Sequence, residues 1–316
     1  MFGLGRSRAP RAAEGDSLEA LLGDLRRIEA RGRRLVAGKL AGGYASVFKG
    51  QGLEVDEVRE YVEGDDPRAV DASVSARQGR PFIKTFVEER ELTLLFLLDL
   101  SASMDEQPGT LSPRHTALRV AGSLALSAAR DDRVGWVGFS AGVDHWLPAR
   151  KGSRHALRML GEMLEARGGS RQTSLAPVLR ELGQRHRRRS VIVLLSDFVD
   201  LGPEEWRGPL DALTRQHEVL AVRLAPAAES PALPSGLLRV TDPEGGRRAL
   251  VDASSAINQS RWRDVRERLA EDLRGDLQRQ RVDLLDLPLP TTQDPEAIAA
   301  PLAAHFARRA RRRWRA

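Results

Sequence analysis

The segment that most constrains the fold is Leu92-Thr-Leu-Leu-Phe-Leu-Leu-Asp99, continued by Leu100, Ser101, Ala102, Ser103 and Met104. Seven mostly apolar residues run into a carboxylate, and two hydroxyls follow it at alternate positions. A continuous apolar run of this length reads as a strand buried on both faces. Its oxygen side chains fall just past the carboxyl end of the strand, and in open α/β sheets ligands bind at that edge. One carboxylate and two alcohols suit a hard cation such as magnesium and do not suit zinc.

The chain around this run alternates strand and helix. Strands are expected at 92–98, 133–139, 142–147, 190–196, 218–224 and 282–287. Helices are expected at 113–130, 153–166, 174–187, 203–216 and 255–280. Such alternation predicts an α/β fold with a doubly wound, mainly parallel sheet, Rossmann-like in its winding. Ser140-Ala-Gly142 reads as a tight turn, so one edge strand is expected to be antiparallel. Leu237–Val251, with Asp242-Pro-Glu-Gly-Gly246 inside it, reads as a second hairpin.

Upstream, Asp16 and Glu19 have capping-box spacing, and Leu18, Leu21, Leu22, Leu25 and Ile28 recur at helical spacing. They predict an amphipathic helix over 17–34, ended by Gly38, Gly42 and Gly43. Residues 44–91 read as a small α+β module, with strand-like pieces near 53–61 and 81–88. Between them lie a turn at Glu63-Gly-Asp-Asp-Pro-Arg68 and a helix-friendly piece, Val70–Arg77. The expected partition is a disordered stretch over 1–16, an N-terminal helix and module over 17–91, the α/β domain over 92–290, and a C-terminal helix with a basic tail over 291–316. No internal repeat is present.

Composition narrows the function classes. The chain has 316 residues, 41% of them hydrophobic, and no cysteine. Disulfides, Cys-ligated zinc, iron–sulfur clusters and thiol catalysis are therefore excluded, and a reducing compartment fits. No apolar run approaches the roughly 18–20 residues that span a bilayer. Arg6, Arg8 and Arg11 precede no apolar core, so no signal peptide is expected, and the expected location is cytoplasmic. The formal charge is +6, and six arginines (308, 309, 311, 312, 313 and 315) lie in the last nine residues. Without those six the formal charge is zero, so the basic balance reflects a tail more than a nucleic-acid-binding face. A solvated helix end is the favoured reading of that tail, ahead of contact with anionic lipid or nucleic acid. Only four of the 50 basic residues are lysines, a bias most simply ascribed to a GC-rich genome.

Two further segments join the Asp99 run. Gly168-Gly-Ser-Arg-Gln-Thr173 precedes a helix, where a threonine hydroxyl can cap the helix and also reach a cation. Val191-Ile-Val-Leu-Leu-Ser196-Asp197 repeats the first pattern, a buried strand ending in a hydroxyl and a carboxylate. In a doubly wound sheet the first and fourth strands lie side by side where the strand order reverses, so Asp99 and Asp197 are expected to face one crevice.

Together these segments resemble the metal-ion-dependent adhesion site of von Willebrand factor A domains. The resemblance implies that Asp99, Ser101, Ser103 and Thr173 belong to the cation site and that Asp197 acts through water. The family's Gly-Gly-Thr is here Gly168-Gly169-Ser170, which leaves Ser170 as the alternative to Thr173. The implied cofactor is Mg2+, with Mn2+ or Ca2+ open. Neutral hydroxyls leave most of the cation's charge uncancelled, so it remains able to take a carboxylate from another protein. This is a binding design with no positioned base, and a non-enzymatic role is expected. The alternative, a metal-assisted hydrolase, has only Asp197 or Asp105 to offer as a base. No Gly-rich phosphate loop with Lys-Ser/Thr exists, and the six histidines show no ligand spacing.

A second resemblance covers about residues 17–313. The stretch from Phe48 to Asp71, with Arg59-Glu-Tyr61 and Glu63-Gly-Asp-Asp-Pro-Arg68, together with Ser75-Ala-Arg77, Lys84 and Glu88-Glu-Arg-Glu91, is similar to the signature of a bacterial domain of unknown function, family fifty-eight. Members carry it before a von Willebrand A-like domain, and their genes often sit beside those for MoxR-type AAA+ ATPases. The implied partner is such an ATPase, or another protein supplying an acidic ligand, with no specific nucleic acid and no membrane span. The chain departs from the family in having Ala72 where a tryptophan is usual, and it lacks the N-terminal membrane helices of many members. Within the module, Arg59, Arg68, Arg77 and Arg90 are expected to pair with Glu60, Asp65, Asp66, Asp71 and Glu89.

Overall fold

The computed structural model describes residues 17–36, 57–62, 70, 72–85, 91–105, 111–199, 201, 205–225, 236–241, 248–292 and 294–313. The expectations for 1–16, the Gly38–Gly43 helix stop, the Glu63–Arg68 turn with Asp65 and Asp66, the pairs of Asp71, Glu89 and Arg90, and the last three residues lie outside this set.

In chain order the elements are α1 (Leu18–Val36), β1 (Glu57–Glu60), α2 (Ala72–Gln78), β2 (Phe82–Thr85), β3 (Thr93–Asp99), α3 (Pro113–Ala128), β4 (Arg133–Phe139), β5 (Val143–Arg150) and α4 (Ser153–Glu165). There follow α5 (Leu175–Arg185), β6 (Val191–Ser196), α6 (Arg207–Thr214), β7 (Glu218–Ala225), β8 (Leu237–Thr241), β9 (Arg248–Asp252), α7 (Ala256–Arg279), β10 (Asp283–Pro288) and α8 (Glu296–Arg313).

Six strands form one sheet in the order β10-β7-β6-β3-β4-β5. All pairs are parallel except β4–β5, which is antiparallel. The chain leaves β3 for β4 on one side and later returns to β6 on the other. The order thus reverses at β3, and a crevice forms at the carboxyl ends of β3 and β6.

All seven residues of β3 are buried, and its alternate side chains feed two cores. Leu94, Phe96 and Leu98 join residues of α1, α3, α4 and α8, among them Leu25, Leu118, Leu160 and Phe306. Leu95 and Leu97 face the other way and meet Leu175 and Leu179 of α5, Leu210 of α6 and Leu277 of α7. A strand wanted by both layers has no polar position to spare until its end.

The helix at the head of the chain packs into the sheet's domain. Leu21, Leu25 and Ile28 of α1 are buried in the first core, and Asp24 takes hydrogen bonds from Arg119 of α3, one from Nε at 2.9 Å. Ser112 caps α3, accepting from the His115 N–H at 3.2 Å, with Pro113 at the first helical position. Arg114 donates to the carbonyls of Met163 and Leu164 at 3.4 Å and to that of Ala166, satisfying the end of α4.

The last helix departs from the solvated end expected for it. Arg309 is 9% exposed and bonds to Asp283 at 2.6 Å and to Glu218, the first residues of β10 and β7. It shares a helix face with Leu302 and Phe306, so its guanidinium is carried to the sheet's amino edge.

β1 and β2 pair antiparallel, and β8 and β9 form the second hairpin. In the first pair Arg80 meets Glu60 at 3.3 Å. Among the described residues, no helix is long and apolar enough to cross a membrane.

Candidate metal centre

Asp99 is the last residue of β3, and the neighbouring strand decides what meets it. The β3–β6 register runs from Leu94↔Val191 to Leu98↔Leu195, which brings Asp99 beside Ser196. The Ser196 hydroxyl donates to Asp99 Oδ2 at 2.7 Å. The Ser101 backbone N–H donates to Oδ1 at 2.9 Å and folds the chain into an Asx turn. A 3-10 turn over Ala102–Asp105 brings Ser103 round, so that the Ser101 and Ser103 hydroxyls lie 3.1 Å apart. Ser103 in turn bonds to the carboxylate of Asp197, whose charge acts on Asp99.

The backbone beyond β6 is bent sharply to hold Asp197 there. Phe198 takes a φ of 56°, a left-handed conformation that costs a non-glycine residue about 1–2 kcal/mol. Two hydrogen bonds fix it: the Phe198 N–H donates to Ser196 Oγ at 2.9 Å, and the Val199 N–H to Asp197 Oδ1 at 3.1 Å.

The loop from Ala166 to Ser174 reaches the same edge. The Ala102 N–H donates to the Arg171 carbonyl at 3.0 Å, and the Ser174 N–H to the Ser140 carbonyl at 2.9 Å. Gly168 sits so close to the β3 exit that a Cβ there would lie 2.4 Å from the Leu100 carbonyl oxygen. Thr173 is buried in this loop. Ser174, one residue later, occupies the capping position of α5 and makes no side-chain cap bond. Ser170 Oγ accepts from the Gln172 N–H at 3.1 Å within the loop.

Asp99 is fully buried, and its carboxyl is pushed up to about 7, first by burial and then by the charge of Asp197. Burial raises Asp197 as well. Among the described residues, no basic side chain pairs with either acid. Arg223, opposite Ser196 on β7, bonds instead to Asp286 at 2.5 Å. Arg114 is the partner of Asp105 at 3.4 Å. A buried carboxylate beside a second, half-buried one is costly without a cation, and a divalent ion would relieve both.

The donor set fits a hard cation. Among the described residues there is no group of three or more His, Cys, Asp and Glu side chains placed for a metal, so hydroxyls must complete the set. Carboxylate and hydroxyl oxygens suit magnesium or manganese, whereas zinc favours imidazole and thiolate.

Of the residues expected at this edge, Asp99, Ser101, Ser103 and Asp197 are linked to one another, and Thr173 lies buried in the loop that reaches the same edge. From the sequence, Ser196 reads only as the hydroxyl ending its strand and Ser140 only as part of a turn; the structure gives both a supporting role. Ser196 is the direct partner of Asp99. Ser140, just past β4, donates to Asp144 Oδ2 at 2.7 Å and accepts from the Ser170 N–H at 3.1 Å, tying down the loop. Both are hydroxyls at strand ends, the same signal that marked Ser101.

Comparison with known proteins places the chain in a family. The family described as "Protein of unknown function DUF58" matches residues 57–272. An uncharacterised protein of Mycobacterium tuberculosis is 32% identical over 237 residues, covering 74% of this chain and 71% of that protein. One of Mycobacterium avium is 40% identical over 82 residues, 25% of this chain and 46% of its own. Among solved structures, the conserved hypothetical protein BatB of Bacteroides thetaiotaomicron aligns over 70% of this chain and 99% of its own, with 13% identity and a TM-score of 0.44. An aerotolerance-related membrane protein of Bacteroides fragilis covers 67% of this chain and 99% of its own, at 14% identity and a TM-score of 0.42. A von Willebrand factor type A structure from Catenulispora acidiphila covers 45% and 35%, at 16% identity and a TM-score of 0.33. The chain belongs to the DUF58 family.

Proposed function

We propose that this chain is a non-enzymatic, divalent-cation-dependent protein–protein interaction module. The observation that carries this reading is the buried, unneutralised Asp99, held by Ser196 and the Ser101 N–H, with Asp197 and two further hydroxyls at the same sheet edge. Asp99, Ser101, Ser103, Thr173 and Asp197 would hold the ion, and Ser196 orients Asp99. A bound magnesium supplies an electrophilic position, which the hydroxyl-rich set leaves poorly neutralised and open to a partner's carboxylate.

The site offers hydrolysis little help. Asp105 is more than half exposed and turned to Arg114. Asp197 already accepts from Ser103 and the Val199 N–H. A general base needs a free oxygen within reach of a water.

The likeness of the signature to MoxR-associated proteins makes a MoxR-type AAA+ ATPase the proposed partner, in assembling or activating protein complexes. The test is capture of the MoxR-type ATPase of the same genome by this chain, with magnesium, with EDTA, and with Asp99→Ala. Capture is expected only for the parent chain with magnesium. Capture indifferent to both EDTA and Asp99→Ala rejects the metal-bridged reading. Magnesium-dependent turnover of a phosphoester or peptide, abolished by Asp99→Ala, replaces it with metal-assisted hydrolysis.

A further inference from the structure

One helix leaves the domain for most of its length. α7 has 24 residues and is about 36 Å long. Its carboxyl end is anchored: Leu273 and Leu277 join the second core, and Asp276 takes Arg207 at 2.5 Å. Before that anchor, none of residues 256–272 is buried. The β8–β9 hairpin is tied to the helix's first turn, where the Asn258 and Gln259 side chains donate to the carbonyls of Asp252 and Ala253 at 2.9 and 2.7 Å. Hairpin and helix thus form an arm that projects from the sheet's domain.

A helix surrounded by water is expected to be polar all round, and this one is not. Trp262, Val265 and Leu269 follow at spacings of three and four, so they fall on one side, and they are 53%, 51% and 63% exposed. Three large apolar side chains in line on an exposed helix mark a surface for a partner. Charge is sorted around that stripe. Arg261 and Arg268 border it on one side and Arg266 on the other, with Asp272 at its carboxyl end. Asp264, Glu267 and Glu271 lie on the opposite face with Arg263. Three arginines against one acid leave the stripe side two positive charges in excess. Three acids against one arginine leave the far side two negative, so residues 256–272 carry no net charge.

We propose that this arm docks an amphipathic helix of another protein, one that carries aspartate or glutamate beside its own apolar stripe. Trp262, Val265 and Leu269 meet the partner's apolar residues, and Arg261, Arg266 and Arg268 meet its acids, since charges flanking the seam set partner choice in paired helices. A second copy of this chain fits poorly. In either orientation of two identical helices the flanking positions face each other, so arginine would meet arginine. An anionic membrane fits poorly as well. Helices that lie in a bilayer surface carry lysine and arginine over their polar face, whereas this polar face is acidic and the segment is neutral as a whole. None of these residues belongs to the cation site, so this docking needs no metal.

The experiment follows the fluorescence anisotropy of two labelled helical peptides titrated with the full chain. Both carry leucine at the seam positions of a seven-residue repeat; one has glutamate beside the seam and the other lysine. The acid-flanked peptide is expected to bind at least about 10-fold more tightly than the lysine-flanked one, with and without EDTA. Trp262→Ala is expected to weaken its binding about 10-fold. Arg261→Glu combined with Arg268→Glu is expected to reverse the preference between the peptides. These side chains are exposed, so the variants fold. Asp99→Ala is expected to leave binding unchanged, which separates this surface from the cation site. Equal binding of the two peptides, binding of neither, or binding unaltered by Trp262→Ala each overturns the proposal. Sedimentation as a dimer that Trp262→Ala dissolves overturns it in favour of a second copy. Adsorption to phosphatidylglycerol vesicles without peptide binding overturns it in favour of a membrane.

Discussion

The carboxyl and amino ends of the central sheet share the same strands, yet they are finished with opposite chemistry. At the carboxyl end, Asp99, Ser101, Ser103, Ser196 and Asp197 put oxygens together, and no described basic residue answers them. At the amino end, Arg133, Arg185, Arg188 and Arg309 crowd round Glu91, Glu181, Glu218 and Asp283. The strand interiors are interchangeable apolar runs, so they fix the scaffold and carry no chemistry. Function is written in the one to four residues beyond each strand end. The carboxyl end also holds a buried charge, that of Asp99, which no described basic side chain meets.

The contrast predicts that removing a charge has opposite signs at the two ends. At the amino end, Arg309→Ala strips a buried guanidinium from Glu218 and Asp283, and the chain is expected to lose about 2–4 kcal/mol in urea unfolding. A loss below about 0.5 kcal/mol would show that solvent already screens these pairs and that the amino end is not a paired network. At the carboxyl end, Asp99→Asn removes a buried charge that nothing neutralises. The EDTA-treated variant at pH 8 is expected to be more stable than the parent by about 1–3 kcal/mol. Equal or lower stability would mean that an unrecognised group compensates Asp99.

The loop that closes the carboxyl end gives a smaller effect. In Gly168→Ala the new Cβ meets the Leu100 carbonyl, a backbone atom that cannot swing aside. A cost of about 1–2 kcal/mol in unfolding is expected, with cation affinity reduced about 10-fold as the Thr173 loop is pushed off. Unchanged cation affinity in a destabilised variant would remove the loop from the site.

The smallest effect is the pH response of the amino end. His217 is buried against the His186 ring, and its pKa falls to about 4, first through burial and then through the charge of His186. A histidine with a pKa lowered by folding binds its proton better in the unfolded chain. Stability is therefore fully present above about pH 6.5 and is lost as pH falls toward about 4. Urea midpoints are expected to record a loss of about 1–2 kcal/mol over that window, absent in His217→Phe. The same slope in His217→Phe would assign the acid response to another group.

Much of this architecture is legible before any coordinates. The Leu94–Leu98 run has no polar position, which only a doubly covered strand tolerates, and the alternation of such runs with amphipathic helices leaves little but a doubly wound sheet. Asp99 and Asp197 are found because both terminate such runs. What stays hidden depends on register and helix facing. That Ser196 meets Asp99 follows from the β3–β6 pairing, which no local pattern specifies. That Arg309 leaves the arginine-rich tail for the core follows from its phase with Leu302 and Phe306, a signal masked by the arginines on either side.

The most direct trial of the cation site is calorimetric titration of EDTA-treated chain with manganese, a close stand-in for magnesium, beside the same titration of Asp99→Ala and Ser101→Ala. One ion per chain is expected to bind the parent, about 10-fold more weakly in Ser101→Ala and at least about 100-fold more weakly in Asp99→Ala. Manganese that binds all three alike, or none of them, contradicts a metal centre built on Asp99.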